Sequence, residues 1–218
     1  MKIQDFFQKG YYINLDRRVD RKEQFLSDMK KVGLDTFLER FPAFYHGTGD
    51  FNYETTHQAC GRSIVTALKQ AYDAGYENVV LFEDDAYFLE GGLEAVEKSL
   101  DSLSKIDDWD LIYFGSMLHD HELNLVGENL LKQTVALTTH AMGYSRKAMK
   151  KTIDVWKWYV GGAAIDGWFS SEKMNKYYTY PLAVVQYEHK PSDLNGGVSP
   201  GLEDYTRGYI NKPINKLF

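Results

Sequence analysis

Residues 79–87 read VVLFEDDAY, an apolar run of mostly β-favouring residues that carries straight into three consecutive carboxylates, Glu83, Asp84 and Asp85. A buried strand of an open α/β sheet ends in this way, at a crevice beyond its carboxyl end. Three adjacent acids repel one another and gain nothing from a packed core, so a divalent cation is the economical reason to gather them. The competing reading of the same residues is a solvated acidic turn after a strand. Neighbouring side chains on an extended strand alternate between faces. Glu83 and Asp85 are therefore expected on one side, as metal ligands, with Asp84 turned the other way; if the chain already turns at Asp84, that division fails.

The flanking sequence alternates strand and helix signals. Residues 11–15 (YYINL) read as a first strand, followed by a helix over about 21–32 that Gly33 ends, and a short strand near 38–44. Ile64, Val65, Leu68, Ala71 and Tyr72 recur at helical spacing, and so do Leu93, Val96, Leu100 and Leu103. Residues 110–115 (DLIYFG) suit a central strand, 134–138 a further one, and 182–187 a last one; Ser145 caps a helix through Trp156. The order is that of an α/β fold with a mostly parallel, mixed sheet flanked by helices. Residues 1–193 form one catalytic domain on this reading. The Gly/Pro/Asn-rich residues 194–218 form a C-terminal flap or tail.

Composition narrows the function. With a net charge of -6 the chain lacks the basic footprint of a nucleic-acid binder. Its single cysteine, Cys60, permits no intrachain disulfide and suits a reducing compartment. No signal-peptide pattern and no run of eighteen apolar residues occurs, so a cytoplasmic protein without a transmembrane segment is expected. Neither GxGxxG after the first strand nor GxxxxGK[ST] is present, which removes the two glycine-built phosphate cradles. A pyrophosphate would then have to be met by a carboxylate-held metal.

The run Ile13-Asn14-Leu15-Asp16-Arg17-Arg18-Val19-Asp20-Arg21 closely resembles the opening motif of glycosyltransferase family 25, the lipopolysaccharide and procollagen galactosyltransferase group. Glu39-Arg40-Phe41-Pro42-Ala43 is similar to that family's Glu-Arg-Phe-x-Ala segment, and Val80-Leu81-Phe82-Glu83-Asp84-Asp85-Ala86 to its strand and metal motif. Asp110 to Gly115, Ser145-Arg146, Asp166 and the stretch from Pro181 to Gln186 follow in the family's order, so the resemblance spans residues 11 to 193. One segment departs: Ala59-Cys60-Gly61-Arg62-Ser63-Ile64 stands where the family has Gly-Cys-x-x-Ser-His.

The resemblance implies a GT-A fold, a nucleotide-sugar donor with UDP favoured, Mn²⁺ or Mg²⁺, and transfer to a hydroxyl of a glycan or glycoconjugate acceptor with inversion. On it, Glu83 and Asp85 hold the metal with His189 as a third ligand, and Leu15, Arg17, Arg18 and Asp84 contact the donor, Asp84 at the ribose or sugar. An arginine fork matches phosphate oxygens, but alternating Asp and Arg also brace a helix start, and for Asp20 and Arg21 bracing is the expected role. Asp166, in a glycine-flanked loop, is the candidate base on the acceptor side. Trp168 beside it could stack on a sugar, and the same aspartate could cap a short helix. His119 and His121 read as a surface loop. Two other classes remain: a non-catalytic nucleotide-sugar or glycan-binding domain that keeps the fold, and a sugar nucleotidyltransferase, which would be expected to carry a glycine-rich basic loop where this chain has NLDRRVDR.

Overall fold

A computed structural model describes residues 1–45, 55–156, 164–187, 205–206 and 212–217. The helices are α1 (Ile3–Phe6), α2 (Val19–Lys31), α3 (Thr56–Asp73), α4 (Gly92–Leu103), α5 (Arg146–Trp156) and α6 (Ile165–Ser171). The strands are β1 (Lys9–Asn14), β2 (Leu38–Pro42), β3 (Asn78–Glu83), β4 (Ala86–Phe88), β5 (Leu111–Tyr113), β6 (Met117–Leu118) and β7 (Leu123–Gly127). They continue with β8 (Leu130–Lys132), β9 (Ala136–Leu137), β10 (Ala141–Ser145), β11 (Lys176–Thr179), β12 (Val184–Gln186) and β13 (Ile214–Lys216).

Among the described residues nine strands make the central sheet, in the order β13-β7-β8-β11-β5-β10-β3-β1-β2. Among the described residues β8 and β10 run against the other seven, so the sheet is mixed and largely parallel, in the α/β class expected from the sequence. Strand alternation sorts the core into two layers. Tyr11, Ile13, Val79 and Leu81 pack with Ile64, Leu68 and Met149 of α3 and α5, while Tyr12, Val80 and Phe82 pack with Phe25, Met29, Val96 and Leu100 of α2 and α4. Burial on both faces explains why these strands are continuously apolar rather than alternating.

Local chemistry sets the helix ends. Thr55 and Gln58 form a reciprocal capping box at the start of α3. Ser145 Oγ accepts the Ala148 amide 3.2 Å away at the start of α5, as its sequence position suggests. Gly33, at φ 70°, closes α2 in the left-handed region. Gly115 sits where β5 ends: a Cβ there would lie 1.7 Å from the Val184 carbonyl oxygen. Only glycine lets the first residue of β12 approach so closely.

Several elements depart from the sequence reading. The strand expected over 134–138 shrinks to β9, and Thr138 turns out of it at φ 81°. The β7–β8 hairpin, β10 and β11 lie outside the strands expected from the sequence; β10 and β11 pair with strands far along the chain. Of the tail expected over 194–218, Ile214–Lys216 pair in parallel with β7 and Tyr205 is fully buried. Among the described residues no helix is long and apolar enough to cross a membrane.

Candidate functional site

The parallel strands β1, β2 and β3 end together, and their carboxyl ends open into a cleft with about 590 Å³ of empty space, continuous with solvent. Ile13 and Leu15 line one side, Phe44 and Tyr45 another, Cys60 and Ser63 of α3 a third, and Glu83, Asp84 and Arg21 the inner end. The Ser63 hydroxyl accepts the Phe44 amide at 2.9 Å and so ties the loop after β2 to α3. Guanidinium groups brace both aromatics: Arg62 lies 3.9 Å from the Phe44 ring centroid and Arg17 lies 4.0 Å from that of Tyr45.

At the inner end β3 stops at Glu83, and Asp84 and Asp85 form a turn into β4. The strand alternation therefore ends one residue too early for the expected pairing of Glu83 with Asp85. Instead, Asp84 and Asp85 share a partner. Arg21, 8% exposed, places Nη1 2.9 Å from Asp84 Oδ1 and Nη2 3.3 Å from Asp85 Oδ2. Glu83 turns elsewhere, and its Oε1 accepts the Thr139 hydroxyl at 2.6 Å.

Asn14, the last residue of β1, donates to Asp84 Oδ2 at 2.7 Å, and Arg40 of β2 donates to Asn14 Oδ1 at 2.9 Å. On the far side the Gln186 amide donates to Asp85 Oδ1 at 3.1 Å, and the Tyr205 hydroxyl donates to Gln186 Oε1 at 2.5 Å. Burial is the main cause that drives the Glu83 carboxyl up to about 8, with Asp85 adding repulsion. Asp84 is pushed up to about 6, again chiefly by burial and then by Asp85, against the opposing pull of Arg21. Among the described residues one guanidinium meets two of the three acids, and burial favours the protonated form of the third, Glu83.

Arg17 lies over Tyr45, and Arg18 pairs with Asp20 at 2.8 Å. Arg21, read from the sequence as a helix brace, is the arginine that meets the acids. A helical turn carries it inward from its neighbours, which adjacency along the chain does not show. Asp166 lies in the first turn of α6, where its Oδ2 accepts the Thr138 amide at 3.1 Å and its Oδ1 accepts the Gly167 amide at 2.7 Å. It is not the helix cap, which is Ala164. Trp168 is buried in the core at 6% exposure with its ring 5.0 Å from that of Phe169, so it does not offer a face to a sugar. His119 and His121 lie on an exposed loop, as expected. His189 falls outside the described residues.

Sequence reasoning passed over Asn14, Arg40, Thr139, Gln186 and Tyr205. Asn14 and Arg40 fall inside the two quoted motifs, and a polar residue ending an apolar strand was the available signal. Among the described residues no group of three or more His, Cys, Asp or Glu side chains is arranged to hold a metal.

No protein-family model matches the chain. A protein of Aedes aegypti described as a glycosyltransferase 25 family member is 28% identical over 144 residues, 56% of this chain and 23% of that protein. The match thus spans less than a quarter of that relative. Among solved structures, A197 from STIV aligns with a TM-score of 0.48 at 12% identity, over 82% of this chain and 85% of that one. A structure described as mannose-1-phosphate geranyltransferase from Thermus thermophilus aligns with a TM-score of 0.40 at 9% identity, over 83% and 65% of the two chains.

Proposed function

We propose that the chain is a glycosyltransferase that binds a nucleotide-activated sugar, a UDP-sugar by preference, in the cleft at the ends of β1, β2 and β3. What supports the assignment is one juxtaposition: a cleft with two guanidinium-braced aromatics along its wall and Glu83, Asp84 and Arg21 at its inner end. Flat apolar faces suit a nucleobase. The acids suit a cation that in turn accepts phosphate oxygens.

Which oxygens are already used decides how a cation fits. Each oxygen of Asp84 and of Asp85 already meets a protein partner, Arg21 and Asn14 for Asp84, Gln186 and Arg21 for Asp85. Each carboxylate oxygen carries two lone pairs, which leaves acceptor capacity on Asp85 and on Glu83 beyond the protein partners described above. Glu83 and Asp85 are the acids we assign to Mn²⁺ or Mg²⁺, and holding one ion together would require one of them to leave its present partner. When bound, the cation would neutralise charge growing on the departing diphosphate. Asp166, fixed by two backbone amides, keeps lone pairs for the proton of an acceptor hydroxyl; transfer with inversion to a glycan hydroxyl is the reaction we assign to it.

Calorimetry of UDP, GDP and CDP against the whole chain, with Mn²⁺ or with chelator, tests the assignment. UDP is expected to bind with Mn²⁺ and to weaken at least ~10-fold in Asp85→Ala. Mn²⁺-dependent release of UDP from a UDP-sugar separates a transferase from a binding domain. Failure of every nucleotide to bind would overturn the donor assignment.

A further inference from the structure

Resting on the reading of Asp166 as the acceptor-side base, we propose that His140 is a positioning residue that holds Thr138 in a left-handed conformation and so keeps the Thr138 amide aimed at the Asp166 carboxylate. Thr138 lies between β9 and β10 at φ 81°, a conformation that a β-branched residue rarely adopts. In that conformation its amide donates to Asp166 Oδ2, 3.1 Å away and 28 residues along the chain. The second amide on Asp166 is that of Gly167, which belongs to the same helix and moves with it. It cannot fix the carboxylate relative to the sheet. The Thr138 amide can.

The grip on Thr138 comes through its side chain. Its hydroxyl lies 3.1 Å from His140 Nδ1, and His140 Nε2 lies 3.1 Å from the Val184 carbonyl oxygen. A carbonyl only accepts, so Nε2 carries a proton. Burial disfavours the charged ring, which leaves Nδ1 to accept the Thr138 hydroxyl. The imidazole is fully buried, edge-on to Tyr205 with ring centroids 5.3 Å apart, and a Cβ on Gly115 would come within 2.8 Å of Nε2. Gly115 therefore makes room for the imidazole as well as for the Val184 carbonyl. His140 is anchored to β12 on one side and holds Thr138 on the other. Thr139, between them, donates to Glu83 Oε1 at 2.6 Å, and the His140 carbonyl accepts the Glu83 amide at 2.8 Å. The same three residues thus set Asp166 against the end of β3. A strained backbone of this kind persists only where its surroundings over-determine it.

Amide hydrogen exchange of the whole isotope-labelled chain, followed by NMR, tests the inference in wild type, Thr138→Val, Thr138→Gly and His140→Leu. Thr138→Val removes the hydroxyl and keeps both shape and strain, so the amide of residue 138 is expected to lose protection by about tenfold or more. Thr138→Gly also lacks the hydroxyl but adopts a φ of 81° without strain, and its amide should stay within about threefold of wild type. His140→Leu should follow Thr138→Val; if it does not fold, the two Thr138 variants still decide. The second readout is UDP released from UDP-glucose and UDP-galactose with Mn²⁺, water standing in for the acceptor. In Thr138→Val kcat is expected to fall about tenfold or more with KM for the donor little changed, and in Thr138→Gly it should recover. Unchanged protection in Thr138→Val would overturn the inference. Equal losses in Thr138→Val and Thr138→Gly would give the hydroxyl a merely structural place, which also overturns it, as would lost protection with kcat unaltered. If the wild type binds no nucleotide and releases no UDP, the donor assignment falls, and the exchange pattern alone decides whether His140 holds Thr138 against Asp166.

Discussion

The two ends of the central sheet treat buried charge differently. At the entry to β5 and β11, acids and bases are matched. Asp110, 4% exposed, pairs with Lys147 at 3.0 Å and accepts the Asn175 amide at 2.8 Å. Lys176 spends its ammonium on the carbonyls of Phe169, Ser170 and Glu172 at the end of α6. At the exit from β1 and β3, Asp84 and Asp85 are set against Arg21, with Glu83 bonded to Thr139 beside them. In the first arrangement the buried acid has an ammonium beside it and an amide on its other oxygen, though Asp110 Oδ1 completes no hydrogen bond. In the second, Arg21 is the cation that meets Asp84 and Asp85 among the described residues, burial favours the protonated form of Glu83, and on our proposal a cation joins them when the donor binds. Stability alone would favour the matched arrangement at both ends, because an uncompensated buried charge is costly.

The largest effect on this contrast should come from breaking the match that the exit end possesses. Asp84→Ala leaves Asn14 without its acceptor and Arg21 with one acid instead of two, and is expected to destabilise the protein by about 3 kcal/mol in denaturant unfolding. A loss below ~1 kcal/mol would mean that Arg21 and Asn14 find other partners.

Next comes the excess charge itself. The Glu83 carboxyl is raised to about 8, above its ordinary value of 4.5, so its ionisation opposes folding. Stability from the protonated form is complete below the unfolded value and is lost as pH rises through about 8. Glu83→Gln, which still accepts the Thr139 hydroxyl, should therefore stabilise the apo protein on the order of 2 kcal/mol at pH 9 and change little at pH 4. Equal effects at both pH values would break the contrast.

The smallest change is expected at the matched end. Lys147→Ala removes a half-exposed ammonium from Asp110, which keeps its backbone amide, and should cost about 1 kcal/mol or less in the same unfolding measurement. UDP binding should be unaltered. A loss as large as that of Asp84→Ala would make the two ends equivalent.

Much of the site was legible in the chain because local rules govern it. The apolar run into Glu83 marks a doubly buried strand and its end, and the same rule places Asn14 at the end of β1. Helix spacing and caps located α3, α4 and α5 within a few residues. Which face each acid presents was not legible, since the turn at Asp84 depends on how β4 pairs with β12, a contact between residues about a hundred positions apart. For the same reason Trp168 was read as a candidate platform: a tryptophan beside a glycine looks alike whether it faces a cleft or a core.

Amino-acid order by itself determined the α/β class, the parallel block that ends in carboxylates, and the absence of glycine-built phosphate cradles, because these follow from periodicity and residue type along short stretches. Only the tertiary structure decided that Arg21, rather than Arg17 or Arg18, meets the acids, and that Asn14, Gln186 and Tyr205 complete their shell. Partners in a buried polar network are chosen by proximity across strands and helices. Distance along the chain does not encode that proximity.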